Sequence, residues 1–243
     1  MKKFRVRTAW IPVFFLLASA LPALAGFPNA DDDMGLNVIQ SENVQFPLGV
    51  QLQGIHSGKV HLVVSVDAEG HLVDHLVVAY THQAFVKPAV EAIKAWSYEP
   101  ARVHGRPRAS RADLIFAFKS DLIVTVQNAD FDISHSIFGE RYAFEPCSLR
   151  DLDHIPVPIH VVSPSIPDGV LASGEQRVVK VEFYIDQEGN VRVPSVSREQ
   201  VDDLLAAAAV ESVEKWHFEP PMRKGNAVLV LAQQDFRFVA KTK

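Results

Sequence analysis

A chain that repeats itself folds twice into the same unit, and this one repeats at an offset of about 120 residues. Val60–Leu72 reads VHLVVSVDAEGHL, and Val179–Val191 reads VKVEFYIDQEGNV. Both copies continue into a helical stretch that runs up to a tryptophan, AVEAIKAWSYEPA from Ala89 and AVESVEKWHFEPP from Ala209. A glycine follows each, Gly105 and Gly225, and then an aromatic strand in which Phe116 and Phe118 answer Phe236 and Phe238. Landmarks in one order at one spacing make a duplicated module the architecture.

The periodicities assign the elements of that module. Val60, Leu62, Val64 and Val66 alternate with His61, Val63, Ser65 and Asp67, the period of two expected of a strand with one buried face. Val179, Val181, Phe183 and Ile185 repeat it. Asp-x-Glu-Gly supplies a tight reversal, with Gly70 and Gly189 taking the positive φ such a turn needs. A second strand returns through Leu72 to Val78 and through Val191 to Val196. Pro88 suits a first helical turn, and Ala89, Ile93 and Trp96 stack on one helix face, as do Leu205, Ala209, Val213 and Trp216. Glu99-Pro100 and Glu219-Pro220 are expected to end the helices, because the residue before a proline is driven from the helical region. A last strand, Leu114 to Phe118 or Val228 to Phe238, completes each unit. The fold class is therefore α+β: a β-hairpin, a helix and a third strand, twice, each forming a small antiparallel sheet with a helix on one face. On the apolar stripe, Trp96 and Trp216 are expected as core, with Tyr98 and Phe218 beside them.

Residues 1–25 begin basic (Lys2, Lys3, Arg5, Arg7), continue apolar from Ala9 to Leu21 and end on small Ala23 and Ala25, the layout of a cleaved signal peptide. The alternative is an uncleaved anchor, for which the 17 residues from Ala9 to Ala25, with Pro12 and Pro22 inside, are short against the ~20 of a span. Cleavage leaves 20 basic and 29 acidic side chains, a formal charge of −9, which repels phosphates and argues against nucleic acid. No later apolar stretch is long enough to cross a membrane. Cys147, the one cysteine, has no partner for an internal disulfide and is expected as a buried small residue.

The remaining chain divides into a short acidic linker at 26–43, a first domain at 44–118, a structured connector at 119–155 and a second domain at 156–243. The connector is not an ordinary linker. Leu122, Val124 and Val126 alternate like a strand, and Phe131, Ile133, Ile137, Phe138, Tyr142 and Phe144 are too apolar for solvent. It is expected to pack on both domains and hold them at a fixed angle.

Gly58-Lys59-Val60, the alternating strand, the Asp-x-x-Gly turn, the Ala-rich helix, Trp96-Ser97-Tyr98-Glu99-Pro100 and Gly105 together resemble the TonB C-terminal domain. Phe46-Pro47 stands near the family's usual Tyr-Pro. The second copy shows Pro167, Trp216-His217-Phe218-Glu219-Pro220 and Gly225, with Arg177 where the glycine would be. The resemblance implies a non-enzymatic periplasmic protein that binds extended peptide segments of envelope proteins, outer-membrane TonB-dependent transporters among them, and it leaves room for a homodimer. Such binding is strand addition to an open sheet edge. The candidate edges are the last strands, through Leu114, Phe116 and Phe118 and through Gln234, Phe236 and Phe238. The other reading is that these strands are covered by the other copy or by a partner subunit. An energy-transducing member would keep an inner-membrane helix and a long Pro-rich reach, whereas Gly26–Asn43 spans only roughly 60 Å when fully extended. A shortened, inner-membrane-anchored transducer is the alternative function.

Enzymatic and metal readings are weaker. His56, His61, His71, His75, His82 and His104 cluster in the first copy, but His71 and His75, four apart on an expected strand, lie about 13 Å apart at ~3.3 Å per residue, too far to share an ion. No nucleophile elbow, paired cysteine or phosphate-cradling loop occurs, so no catalytic residue, metal or cofactor is assigned. Asp67, Glu69 and Gly70 recur as Asp186, Glu188 and Gly189, which points to a turn rather than to acid–base work. Arg102, Arg106, Arg108 and Arg111 form a local basic run.

Overall fold

A computed structural model describes residues 35–40, 44–103, 105–120, 124–129, 141–165, 170–172, 175–196 and 203–239. The first copy runs β1 (Asn37–Gln40), α1 (Leu48–Gln51), β2 (Ser57–Val66), β3 (Leu72–Tyr80), α2 (Val86–Ala95), β4 (Ser97–Glu99), the hairpin β5 (Ala101–Val103) and β6 (Arg106–Arg108), and β7 (Ser110–Lys119). β8 (Val124–Ala129) lies in the connector. The second copy runs β9 (Pro158–His160), β10 (Gln176–Ile185), β11 (Val191–Val196), α3 (Asp203–Glu214), β12 (His217–Phe218), the hairpin β13 (Met222–Arg223) and β14 (Asn226–Ala227), and β15 (Val230–Val239). The strand orders are β3-β2-β7-β8 and β11-β10-β15, antiparallel throughout. The architecture is the expected α+β, twice.

In each copy the inward residues of the hairpin meet the helix. Val60, Leu62, Val64 and Val66 are fully buried against Phe85, Ala89, Ile93, Trp96 and Tyr98, with Leu114, Phe116 and Phe118 from β7. Val179, Val181, Phe183 and Ile185 meet Leu205, Ala209, Val213 and Phe218, with Phe236 and Phe238 from β15. Each such side chain contributes about 1.5–3 kcal/mol of apolar burial. Trp96 stacks on Phe116 at 5.3 Å and Phe85 on Phe118 at 4.8 Å; Trp216 lies 5.5 Å from Phe236.

The helices stop earlier than the prolines imply. α2 ends at Ala95 and α3 at Glu214, and Trp96 already has extended backbone (φ −78°, ψ 155°). Ser97–Glu99 and His217–Phe218 become strand because a partner strand is waiting: Val38 pairs with Tyr98 in the first copy and Pro158 with Phe218 in the second. β1 lies inside the stretch read as linker, so ordered structure begins ahead of residue 44.

A second difference concerns β2. Its outward residues were expected to face water, yet Val63 is fully buried and His61 is 6% exposed. The second copy covers them: Val63, Leu76 and Val78 pack against Tyr184, Val193 and Leu229. In the second copy the one-sided pattern holds only for the middle of β10, where Lys180 and Glu182 are exposed between buried Val179, Val181 and Phe183; Tyr184, next on the same outward face, is fully buried against the first copy. Beyond β8, the connector ties in through both copies. Phe144 stacks on Tyr80 at 5.4 Å, the Cys147 amide donates to the Leu229 carbonyl at 2.7 Å, and the Asp153 carboxylate accepts from the Lys224 and Gly225 amides at 2.8 and 2.9 Å. Leu122, Phe131, Ile133, Ile137 and Phe138 lie outside the described residues, as does the signal segment.

Candidate functional site

Two equivalent strands, β7 and β15, close the two sheets, and the chain treats them differently. β7 pairs with β2 on one side and with β8 on the other, Phe118 opposite Val124, Phe116 opposite Val126 and Leu114 opposite Asn128. The edge expected at Leu114–Phe118 is therefore taken by the chain's own connector. Sequence reading found the alternation at Val124 and Val126 but had no means of choosing the strand it would join.

β15 stands at the margin of its sheet. It pairs with β10 over ten residues, Gln176 opposite Val239 through Ile185 opposite Val230. Among the described residues its other side meets only the connector at its start, where Cys147 bridges to Val230. A strand left so carries a row of backbone donors and acceptors without ladder partners, which is the chemistry of strand addition. Phe236 and Phe238 are 8% and 5% exposed and turn toward Trp216 and the helix layer. Gln233, Asp235, Arg237 and Val239 point to the opposite face and are exposed. Asp235 and Arg237 belong to no local motif; the alternation of QQDFRF, which sets Phe236 and Phe238 inward, is the signal that turns them outward.

The hairpin turns are rigid and alike. Asp67 Oδ1 accepts from the Glu69 and His71 amides at 3.0 and 2.8 Å, and Asp186 Oδ1 from the Glu188 and Asn190 amides at 3.1 and 2.8 Å. These hydrogen bonds, that from the His71 amide foremost, hold the Asp67 carboxyl below the usual carboxylate range. Gly70 and Gly189 stand at φ +90° and +89°. His71 sits in the turn, its ring 3.1 Å from the same carboxylate, and not on the strand with His75.

The two tryptophans differ. Trp216 is half-buried and its indole N–H donates at 2.8 Å to the Val162 carbonyl, which also accepts from the Ser212 hydroxyl at 2.6 Å. Trp96 is 7% exposed and its indole nitrogen has no hydrogen-bond partner. The Tyr98 hydroxyl donates to the Ile93 carbonyl at 2.6 Å, and burial pushes its phenol far above the ordinary tyrosine value. These groups serve packing and offer no convergent set for proton transfer.

The arginine run does not converge either. Arg102 donates to the Gly105 carbonyl across its own hairpin, while Arg111, its side chain 11% exposed, holds its guanidinium 6.0 Å from the Tyr184 ring and 3.7 Å from Asp113. His61, Arg111, Asp113 and Tyr184 thus gather between the copies, a polar cluster that no local sequence pattern announced. Among the described residues no group of three or more His, Cys, Asp or Glu is placed to hold a metal ion, and no helix is long and apolar enough to cross a membrane.

A family model described as Gram-negative bacterial TonB protein C-terminal matches the chain twice, over residues 42–120 and 163–240. No curated protein matches it.

Proposed function

The chain belongs to the Gram-negative bacterial TonB protein C-terminal family, carrying two copies of its domain, and from that membership we propose that it is a non-enzymatic periplasmic protein that captures extended segments of envelope partners by strand addition at β15. The observation that carries this reading is the contrast between equivalent strands. β7 holds an added antiparallel strand from the connector, whereas β15 offers the same edge with no ladder partner among the described residues beyond its first turn of chain. One copy thus displays the operation that the other is free to perform on a guest.

Removal of residues 1–25 would deliver the protein to the compartment where such guests occur, so N-terminal sequencing of the protein from periplasm returns Gly26 as the first residue; a Met1 start sinks this part. The binding test uses the mature chain as bait in envelope extracts, with Q233P and Q234P as paired variants. Backbone N–H groups alternate between β10 and the open side, so one of the two prolines removes an outward donor while leaving the sheet intact. Loss of the captured partner in that folded variant is expected. Capture unaffected by both variants overturns β15 as the binding edge.

A further inference from the structure

The two copies are closed differently behind the hairpin turn. In the second, the Phe218 amide donates to the Gly189 carbonyl at 2.9 Å and Asn190 bridges to His217, so backbone joins the turn to the strand after the helix. Trp216 is capped there too, its N–H taken by the Val162 carbonyl. In the first copy neither closure is made among the described residues: no backbone hydrogen bond links Gly70 to Tyr98 or His71 to Ser97, and the indole donor of Trp96 stays unused. Where the second copy is shut, the first opens into a cavity of about 530 Å³ between the turn, β3, the end of α2 and β4. That volume lies in the range of small-ligand pockets, roughly 300–1,000 Å³.

The charge of the wall is peculiar to this copy. His71, His75 and Lys94 line it with Leu72, Val73 and Trp96, and among the described residues no carboxylate does. At the repeat offset the three basic residues become Asn190, Pro194 and Glu214, none of them cationic. A wall of bases is thus set into a chain of formal charge −5. Lys94 is exposed and makes no ion pair among the described residues. Burial first, and the Lys94 charge second, hold the His75 imidazole below its ordinary value. The other charges nearby are matched: Asp74 and Arg192 are forked to each other, and His71 faces Asp67. An anion beside Lys94 and His75 is what the cavity lacks.

We propose that this cavity binds a monocarboxylate with an apolar body, its charge on Lys94 and His75 and its body against Leu72, Val73 and Trp96. One fixed cation suits one negative charge, and the apolar part of the wall disfavours a strongly hydrated polyanion. The carboxylate belongs either to a free small acid or to the last residue of a peptide. The site shares no residue with β15 and is separate from strand addition.

The test follows the indole N–H signals of the mature chain by NMR, Trp96 in the cavity wall and Trp216 outside it as internal control. The probes are isocaproate, an Ala-Val-Leu peptide with a free carboxyl end, the same peptide amidated, and inorganic phosphate. Both carboxylates are expected to move the Trp96 signal and to leave that of Trp216, whereas the amide and phosphate move neither. K94E, which installs the charge found in the second copy, weakens carboxylate binding roughly tenfold or more. Affinity rises as pH falls through the range just under 6.5, where His75 gains its proton, and H75A removes that dependence. Circular dichroism verifies that the variants fold; K94Q, which removes the charge alone, carries the same expectation should K94E fail to fold. A stronger response to the peptide acid than to isocaproate assigns the peptide end as the source, and one no stronger assigns a free acid. An unmoved Trp96 signal with both carboxylates, an equal response to the amide or to phosphate, or a folded Lys94 variant that binds like wild type overturns the proposal.

Discussion

At Gly70 and Gly189 a single methyl group would meet a backbone carbonyl. A Cβ at 70 would lie 2.5 Å from the Tyr98 oxygen, and one at 189 would overlap the Phe218 oxygen. Both also have positive φ, so alanine there combines left-handed strain, about 1–2 kcal/mol, with a clash against rigid backbone worth about 1–3 kcal/mol. Gly105 and Gly225 have φ +73° and +74° but open space around them. Denaturant titration should therefore find G70A and G189A about 2–5 kcal/mol less stable than wild type, and G105A and G225A only about 1–2 kcal/mol less. Equal losses at all four would mean that the turn does not lie against the post-helical strand. Val193 shows the opposite balance. A buried β-branched residue at φ +42° costs about 1–3 kcal/mol. Its side chain is buried in the cluster between the copies, and that packing opposes the strain.

At the scale of elements, β8 tests what an added strand does here. Proline at Thr125 or Val126 removes one ladder donor, and the residue whose N–H faces β7 is the sensitive one. In that variant, amide exchange at Ile115–Phe118 should accelerate on the groups facing β8 while the groups facing β2 stay protected; uniform protection would show that β8 does not carry this ladder. The Asp153 clamp gives a pH-dependent counterpart. Hydrogen bonds from Gly225 and Lys224 hold its carboxyl below the usual 3.8. A depressed folded value means that the clamp's contribution is present above the ordinary carboxylate range and is lost as pH falls through the lower folded value. Amide chemical shifts of Lys224 and Gly225 should accordingly titrate with a midpoint under 3.8, and D153A should abolish that transition. The hairpins, helices and third strands were legible because each obeys a local period, two or near 3.6, set by residues such as Val60 to Val66 or Leu205 to Val213. β1 and β9 were not, because strands of four and three residues are too short to show a period, and all three residues of β9 are exposed. Of the candidate edge, the aromatic strands themselves were visible, but which one stays open depends on whether β8 (Val124–Ala129) folds back onto β7 or docks elsewhere, a tertiary fact that its alternation does not encode.

For the whole molecule, the relation of the two copies is fixed by burial on one side of the first sheet only. Val63 lies on the face that the alternation of β2 turns outward, Leu76 opposite it and Val78 share its cluster, and Tyr184, Val193 and Leu229 close it. Beside this apolar contact Arg192 reaches across from β11. Its Nε and Nη2 donate to the two oxygens of Asp74 at 3.0 and 2.6 Å, and Nη2 also donates to the His75 carbonyl at 2.9 Å. The paired side chains are 30% and 31% exposed, so water screens them only in part. Fork geometry with two parallel bonds makes this pair stronger than an ordinary surface bridge, and hydrogen bonds to charged groups contribute about 1.5–3 kcal/mol. A rigid body follows if the apolar patch and the fork act together, and heat should then unfold both copies in one transition. R192A removes the fork and leaves the patch, so it should lower stability by about 2 kcal/mol and separate the calorimetric trace toward two steps. The decisive measurement is the double-mutant cycle of R192A with D74A, expected to return a coupling of about 1–2 kcal/mol. A coupling near zero with two resolved transitions already in wild type would make the copies independent beads, and the angle between them would then be set by the connector alone.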